Sequence, residues 1–425
     1  MTMALLFGSL LLMMAIGVPI AVALAGSSLL YALAVGLPDI AVLHRMVGGI
    51  DSFPLLAIPF FILAGNLMNS ALITERIFGF ALALFGWMRG GLGHVNVAGS
   101  VIFAGMSGAA VADAGGLGTI EIKAMRDHGY DDRFAVGITA ASSTIGPIIP
   151  PSLPLVIYGV MANASIGQLF AAGLVPGLGM ALALMIWVAW TARRRGYPRD
   201  ARFSIRRLGS AFSEAFLALM TPVILIGGMV SGAFTPTEAA IAAVVYAMFL
   251  GLVVYRTLDW RTLVKVSMDT IETTAVILII VAGASIFGWI LTSARATEQL
   301  AGWVLGISTD PVVVLLLVNV LLLAVGCFLE TIAAITILVP VLLPIMLQLD
   351  VDPVQFGILM VLNLMIGLLT PPVGMVLYIL SRVSGLPFEE CARACAPFLI
   401  PLVGMLLLVT FWPDFSLWLP SQIYR

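Results

Sequence analysis

The sequence predicts an all-α polytopic membrane protein built from two inverted-topology repeats, each with a re-entrant helical hairpin and a discontinuous transmembrane helix. Composition is the first reason. Of 425 residues, 61% are hydrophobic and 10% charged, against about 25% charged in soluble domains, and the mean hydropathy is +1.13. Run length is the second. Phe134 to Ala192 is a stretch of 59 residues without Asp, Glu, Lys, Arg or His, and about 20 apolar residues span a bilayer. The third is an internal echo at an offset of 221 positions: "GMSGAAVAD" begins at Gly105 and "GCFLETIAA" at Gly326, "IGPIIPPS" at Ile145 and "IGLLTPPV" at Ile366. A β-barrel would alternate polar and apolar residues over roughly ten-residue strands, which these runs do not.

Taken in order, the apolar N-terminus reads as a first membrane helix, because no signal-cleavage site follows it. Residues 1–192 form the first repeat, with a hairpin at about 95–126 and a broken helix at about 134–162. Residues 193–210 are a basic loop; between 193 and 207 there are seven arginines and one aspartate, which places it in the cytoplasm as a solvated connector. Residues 211–425 form the second repeat, with a hairpin at about 312–348 and a broken helix at about 354–382. Asn96 and Asn319 echo each other at an offset of 223. Charge indicates the inversion. "KAMRDHGYDDR" (123–133) after the first hairpin carries three basic residues, whereas "LQLDVDPVQF" (347–356) after the second carries none. The two therefore face opposite sides.

The helix breaks follow from length and proline. Residues 311–349 hold one charge, Glu330. As a single helix they would run about 58 Å, against a hydrocarbon core of about 30 Å. A hairpin turning near the midplane resolves this and puts Glu330 near its tip. Asp113 lies in the corresponding region, inside the loose turn "SGAAVADAGGLG". Pro147, Pro150, Pro151 and Pro154 deny the backbone its helical donors. Non-helical backbone at membrane depth is tolerated only when buried in protein or lining a polar cavity, so the tips and the broken helices are expected to meet around one. Ser107, Asp113, Ser142, Ser143, Thr144, Glu330, Thr331 and Thr370 offer oxygens there, and Gly108, Gly146 and Gly367 allow close backbone approach. Oxygen donors and unwound carbonyls suit Na⁺. Asp113 and Glu330 each read as an ion ligand or as a structural pair or hairpin cap.

Other classes are disfavoured. A net charge of −2 gives nucleic acid no basic surface. Cys327, Cys391 and Cys395 read as small buried residues. His44, His94 and His128 flank membrane ends without ligand spacing. Glu238 follows Pro236 in "FTPTEAA" as a first-turn acid of structural use. ATP-binding, zinc-protease and nucleophile-elbow motifs are missing, so no enzyme is expected. A channel would need a continuous polar pore, and the polar residues cluster at two hairpins instead.

Six stretches carry a family resemblance: "SFPLLAIPFFILAG" (52–65), "GMSGAAVADAGGLGTI" (105–120), "SSTIGPIIPPSLPLVIYG" (142–159), "GAFTPTEAAIAAVVYA" (232–247), "GCFLETIAAITILVPVLLPI" (326–345) and "NLMIGLLTPPVGMVLY" (363–378). They resemble the large, DctM-type membrane subunit of TRAP (tripartite ATP-independent periplasmic) transporters. The resemblance implies the ion-transporter-superfamily fold and Na⁺-coupled elevator import of a carboxylate such as a C4-dicarboxylate, a sugar acid or sialic acid, across a bacterial inner membrane. It implies two partners, a small four-helix membrane subunit expected as a separate polypeptide and a periplasmic substrate-binding protein. By motif match it points to sodium ligands at Ser107, Gly108, Asp113, Gly146, Glu330, Thr331, Gly367 and Thr370, although many relatives carry Asp where this chain has Glu330. Ala109, Ser143, Pro150, Pro151, Ser152, Pro371 and Pro372 are the substrate contacts expected beside them.

Overall fold

A computed structural model describes residues 2–71, 73–296, 302, 306, 308 and 310–424; the side chains of Thr2, Asp39, Ser107 and Val230 stand outside that description. Among the described residues every regular element is a helix. The N-terminal part runs through α1 (Thr2–Ala15), α2 (Ile20–Val35), α3 (Asp39–Ile50), α4 (Ala57–Ser70) and α5 (Ile73–Phe85). Next come α6 (Gly91–Ser107), α7 (Ala110–Gly115), α8 (Leu117–Asp127), α9 (Asp132–Ser143) and α10 (Leu153–Ala162). The long helices α11 (Ile166–Arg195), α12 (Ile205–Val230), α13 (Pro236–Phe249) and α14 (Trp260–Ser293) follow. The chain closes with α15 (Pro311–Gly326), α16 (Thr331–Gln348), α17 (Pro353–Gly367), α18 (Met375–Ser384), α19 (Phe388–Phe411) and α20 (Asp414–Ile423). Seven helices among the described residues are long and apolar enough to cross a membrane.

Helix starts follow local chemistry. Ser152, Ser165, Ser204, Asp259, Asp310 and Asp352 each accept an amide of the first turn, the N-cap arrangement. Thr235 and Glu238 form a reciprocal capping box ahead of α13, the structural use expected of Glu238. Glycines in the left-handed region end α2, α11 and α18 at Gly36, Gly196 and Gly385.

The first helix, α1, packs with α2 and α14 around Leu6, Leu10, Leu24 and Phe287. The centre of the molecule belongs to the broken helices. Every residue of α17 from Val354 to Gly367 is buried, as is every residue from Phe134 to Gly159. A helix apolar on all sides has to be surrounded, and the hairpins surround these. The packing is crossed between the halves: α7 lies on α18, and α10 lies on α16. Gly115 stands against Ile379 of α18, and the Arg126 guanidinium at the end of α8 donates to the Ser384 carbonyl at the end of α18.

Two expectations change. The loop 193–207 is more than a solvated connector. One carboxylate oxygen of its Asp200 accepts the Leu92 amide (2.9 Å) and the Tyr130 hydroxyl (2.6 Å), and Arg195 pairs with Asp131 at 2.8 Å. The loop therefore clamps the foot of the first hairpin. The loose turn expected around Asp113 shrinks to Gly108–Ala109, because "AVADAG" closes a short helix of its own, α7. All three cysteines are free and buried, as expected.

Candidate functional site

Each hairpin tip rests on the unwound stretch of its own half's broken helix. In the first half, Gly108 has φ +59°, and a Cβ there would collide with the Pro151 carbonyl oxygen. Only glycine permits both the left-handed turn and that approach. Ala109 lies beside Gly146, whose added Cβ would stand 3.9 Å from the Ala109 backbone. Gly108, Ala109, Gly146 and Pro151 are thus brought together. In the second half, Gly326 and Gly367 touch backbone to backbone, and a Cβ on Gly367 would stand 2.5 Å from the Gly326 carbonyl carbon. The amides of Val373 and Gly374 both donate to the Cys327 carbonyl at 3.2 Å. Both proline pairs, Pro150–Pro151 and Pro371–Pro372, contain a cis peptide bond.

The hydroxyls divide into those already engaged and those left free. Ser143 and Thr144 donate back to the Ala140 and Ala141 carbonyls at 2.8 and 2.6 Å. Ser152 donates to the Pro147 carbonyl while accepting the Leu155 amide at 3.2 Å, so it braces the unwound stretch. Thr370 donates to the Ile366 carbonyl at 3.0 Å. Thr331 is different: it is 3% exposed and its hydroxyl has no partner. The side chain of Ser107 lies outside the described residues. Pro150 and Pro151 are buried, whereas Pro371 and Pro372 are exposed.

The two carboxylates have unlike surroundings. Glu330 accepts the Ile332 and Ala333 amides at 2.9 and 3.3 Å through one oxygen, and so caps α16. That is the structural alternative left open for it, and it leaves the other oxygen free to meet a ligand. Asp113 is 1% exposed, and neither of its oxygens has a hydrogen-bond partner among the described residues. The Ser100 hydroxyl faces it, buried and likewise closing no hydrogen bond. Leaving a buried charge uncompensated is strongly unfavourable, so this place is built for a cation or a proton. Asp113 and Thr331 therefore fit a bound Na⁺ by their orphan oxygens, and Glu330 fits it by one oxygen at most.

Sequence reasoning missed the polar network beside Asp113. Glu121, 1% exposed, accepts from the Asn96 amide nitrogen at 2.6 Å. The same nitrogen reaches the Thr139 hydroxyl at 2.7 Å, and Ser142 donates to the Asn96 side-chain oxygen at 2.6 Å. The other Glu121 oxygen has no partner. The network ties both arms of the hairpin to α9. A signal existed: Glu121 lies only eight positions after Asp113, within the stretch expected to form the first hairpin. It was masked by the charges of 123–133, which make it read as part of a loop. Asn96 had surfaced only as an echo of Asn319. That echo is structural, since Asn363 donates to Asn319 at 2.8 Å and Asn319 donates to Thr410 at 2.9 Å. His94, expected at a membrane end, is 1% exposed, and neither ring nitrogen has a partner.

Known proteins resemble the chain in fold and in sequence. The YdaH transporter of Alcanivorax borkumensis, described as having an unusual topology, superposes with a TM-score of 0.64 over 88% of both chains at 16% identity. That likeness speaks for the fold. The sialic acid TRAP transporter large permease protein SiaM of Vibrio cholerae is 52% identical over 378 residues, 89% of this chain and 88% of that one. The C4-dicarboxylate TRAP transporter large permease protein DctM of Pseudomonas aeruginosa is 40% identical over 88% of this chain and 87% of its own. The sialic acid TRAP transporter permease protein SiaT of Haemophilus influenzae is 43% identical over 97% of this chain but 67% of its own length. The family model for the DctM component of the tripartite ATP-independent periplasmic transporter matches residues 7–415, and the chain accordingly belongs to that family of multi-pass inner-membrane transport proteins, which are not enzymes.

Proposed function

We propose that this chain is the large permease subunit of a sodium-coupled TRAP transporter that imports a small carboxylate. The observation that carries the coupling is Asp113, a buried carboxylate with neither oxygen partnered among the described residues, in a hairpin whose tip lies on a broken helix. A site of oxygens without Lys or Arg recruits a cation and excludes an unaccompanied anion. Ser107, Gly108, Asp113 and Gly146 would form the first sodium site, and Glu330, Thr331, Gly367 and Thr370 the second. Half-helix N-termini at Leu153 and Met375 then favour the substrate carboxylate, next to Ala109, Ser143, Ser152 and the two proline pairs. The crossed packing of hairpins on broken helices supports their moving as one body, as an elevator requires.

A small four-helix membrane subunit and a periplasmic binding protein are the proposed partners. The relative SiaM makes a sugar acid of the sialic acid type the first substrate to try, ahead of C4-dicarboxylates. The test is uptake into proteoliposomes holding this chain and the small subunit, with binding protein and labelled sialic acid outside and a sodium gradient imposed. Accumulation should follow the gradient and vanish without either partner. Equal uptake without sodium would remove the coupling.

A further inference from the structure

A second site lies away from the hairpins, where α5 crosses the start of α12. It is an open pocket of about 500 Å³ lined by Glu75, Arg76, Arg207, Glu214 and Thr257 among others. Two acids and two bases line it, so its charge is balanced but separated. The Arg76 guanidinium lies 4.1 Å from the Tyr255 ring centroid and donates to the Glu214 carbonyl at 3.4 Å. With five N–H donors, it keeps most of them for a ligand. The Tyr255 and Thr257 hydroxyls next to it are buried and have no partner among the described residues. Both oxygens are closed off from the pocket, so the donors that face it are the guanidiniums of Arg76 and Arg207.

The surroundings indicate what the pocket would take. Phe80 packs at a tilt against Phe212, and Phe212 meets Phe216 edge-on; Phe212 and Phe216 are 45% and 41% exposed. An apolar wall therefore adjoins the polar pocket. The arginine-rich 202–207 stretch and Arg256 flank it, which places it at the basic face of the membrane. A ligand with a phosphate, an amine and acyl chains matches all three zones.

We propose that this pocket holds the headgroup of a glycerophospholipid bearing a primary amine, phosphoethanolamine in kind. Its phosphate meets the Arg76 and Arg207 guanidiniums, and its ammonium meets the Glu75 and Glu214 carboxylates. The acyl chains lie on Phe212 and Phe216. Planar guanidinium donors suit phosphate, and the paired acids select an ammonium that can donate hydrogen bonds over a quaternary one that cannot.

Native mass spectrometry of the detergent-purified full chain tests this, with phosphatidylethanolamine, phosphatidylcholine and phosphatidylglycerol offered in turn. Phosphatidylethanolamine should be retained about tenfold better than the other two, the size expected of one or two lost charged hydrogen bonds. Arg76→Gln should cut its retention about tenfold. Arg207→Gln, at an exposed position and so a milder change for folding, should cut it by several-fold. Glu214→Gln should abolish the preference over phosphatidylcholine while retention itself persists. Equal retention of all three lipids, preference for phosphatidylglycerol, or retention unaffected by both Arg76→Gln and Arg207→Gln would overturn the proposal. Displacement of the lipid by millimolar inorganic phosphate would overturn it too, by making this a site for free anions.

Discussion

The two broken helices share a plan and differ in what they seal. From Ser143 to Ser152 the unwound stretch of the first is entirely buried, whereas Pro371 and Pro372 of the second are exposed. Both halves keep an Asn on the hairpin that bonds a polar residue on the broken helix, Asn96 with Ser142 and Asn319 with Asn363. Among the described residues, fully buried acids occur only in the first half. At the offset of 221, Ala334 and Leu342 stand where Asp113 and Glu121 stand. Ser152, which braces the first unwound stretch, corresponds to Val373, and there the Val373 and Gly374 amides take over by binding Cys327. What the halves share is scaffold chemistry, and what separates them is charge. The first half is thus the place to look for a deep cation site, and the second for a part that opens.

The largest effect expected is all-or-none. Cysteines at Asp127 and Gln348, both at exposed ends of hairpin arms, should label from opposite faces of the membrane with an impermeant maleimide. Labelling of both from one face breaks the comparison at its root, since the halves would then not be inverted.

Next in size is the contrast between the two acids. Asp113→Asn should raise the sodium concentration for half-maximal uptake about tenfold or more, since it removes a charged ligand. Glu330→Gln weakens the cap of α16 and should cost about 1 kcal/mol of stability. Glu330→Asp, also a good N-cap, should retain it. An unshifted sodium titration for correctly assembled Asp113→Asn would make Asp113 scaffold.

The bridging asparagines give a smaller contrast, read from thermal unfolding in detergent. Asn96→Leu strands Glu121 and the Thr139 hydroxyl and should cost about 3 kcal/mol, whereas Asn319→Leu strands no carboxylate and should cost about 1–2 kcal/mol. Equal losses would mean that Glu121 adds nothing to the first bridge. Smallest is a pair of glycines with positive φ. Gly108→Ala meets the Pro151 carbonyl, while Gly385→Ala meets open space. The second should lose only about 1 kcal/mol of stability, and the first clearly more.

The fold was readable because membrane helices must satisfy their own backbone, so charge-free runs and proline interruptions translate directly into spans and breaks. The long uncharged stretch on each side of Glu330 implied the second hairpin, and the paired "IG…PP" segments implied the breaks. Depth was harder to read. Glu121 and His94 adjoin residues that belong to the aqueous ends of helices, and only the packing of α6 against α8 shows that both are buried. Spacing also says nothing about engagement. Ser142, Ser143 and Thr144 look equivalent along the chain, yet one joins Asn96 and the other two fold back onto the preceding turn. Glu330 looked like the twin of Asp113 until its amide partners were visible.

The crossed packing has a consequence for biosynthesis. Arg126 and its acceptor at Ser384 are separated by 258 positions, which a ribosome covers in roughly 13–50 s at 5–20 residues per second. During that interval the first hairpin is already in the membrane with Asp113 and Glu121, and α18, which will cover it, has not yet been made. The nascent first half must therefore wait with two acids poorly sheltered, held by the Asn96 network and by Asp200 at its foot. Both clasps are complete once residue 200 has been made, and they are what a half-made chain has available to keep its hairpin from slipping back out.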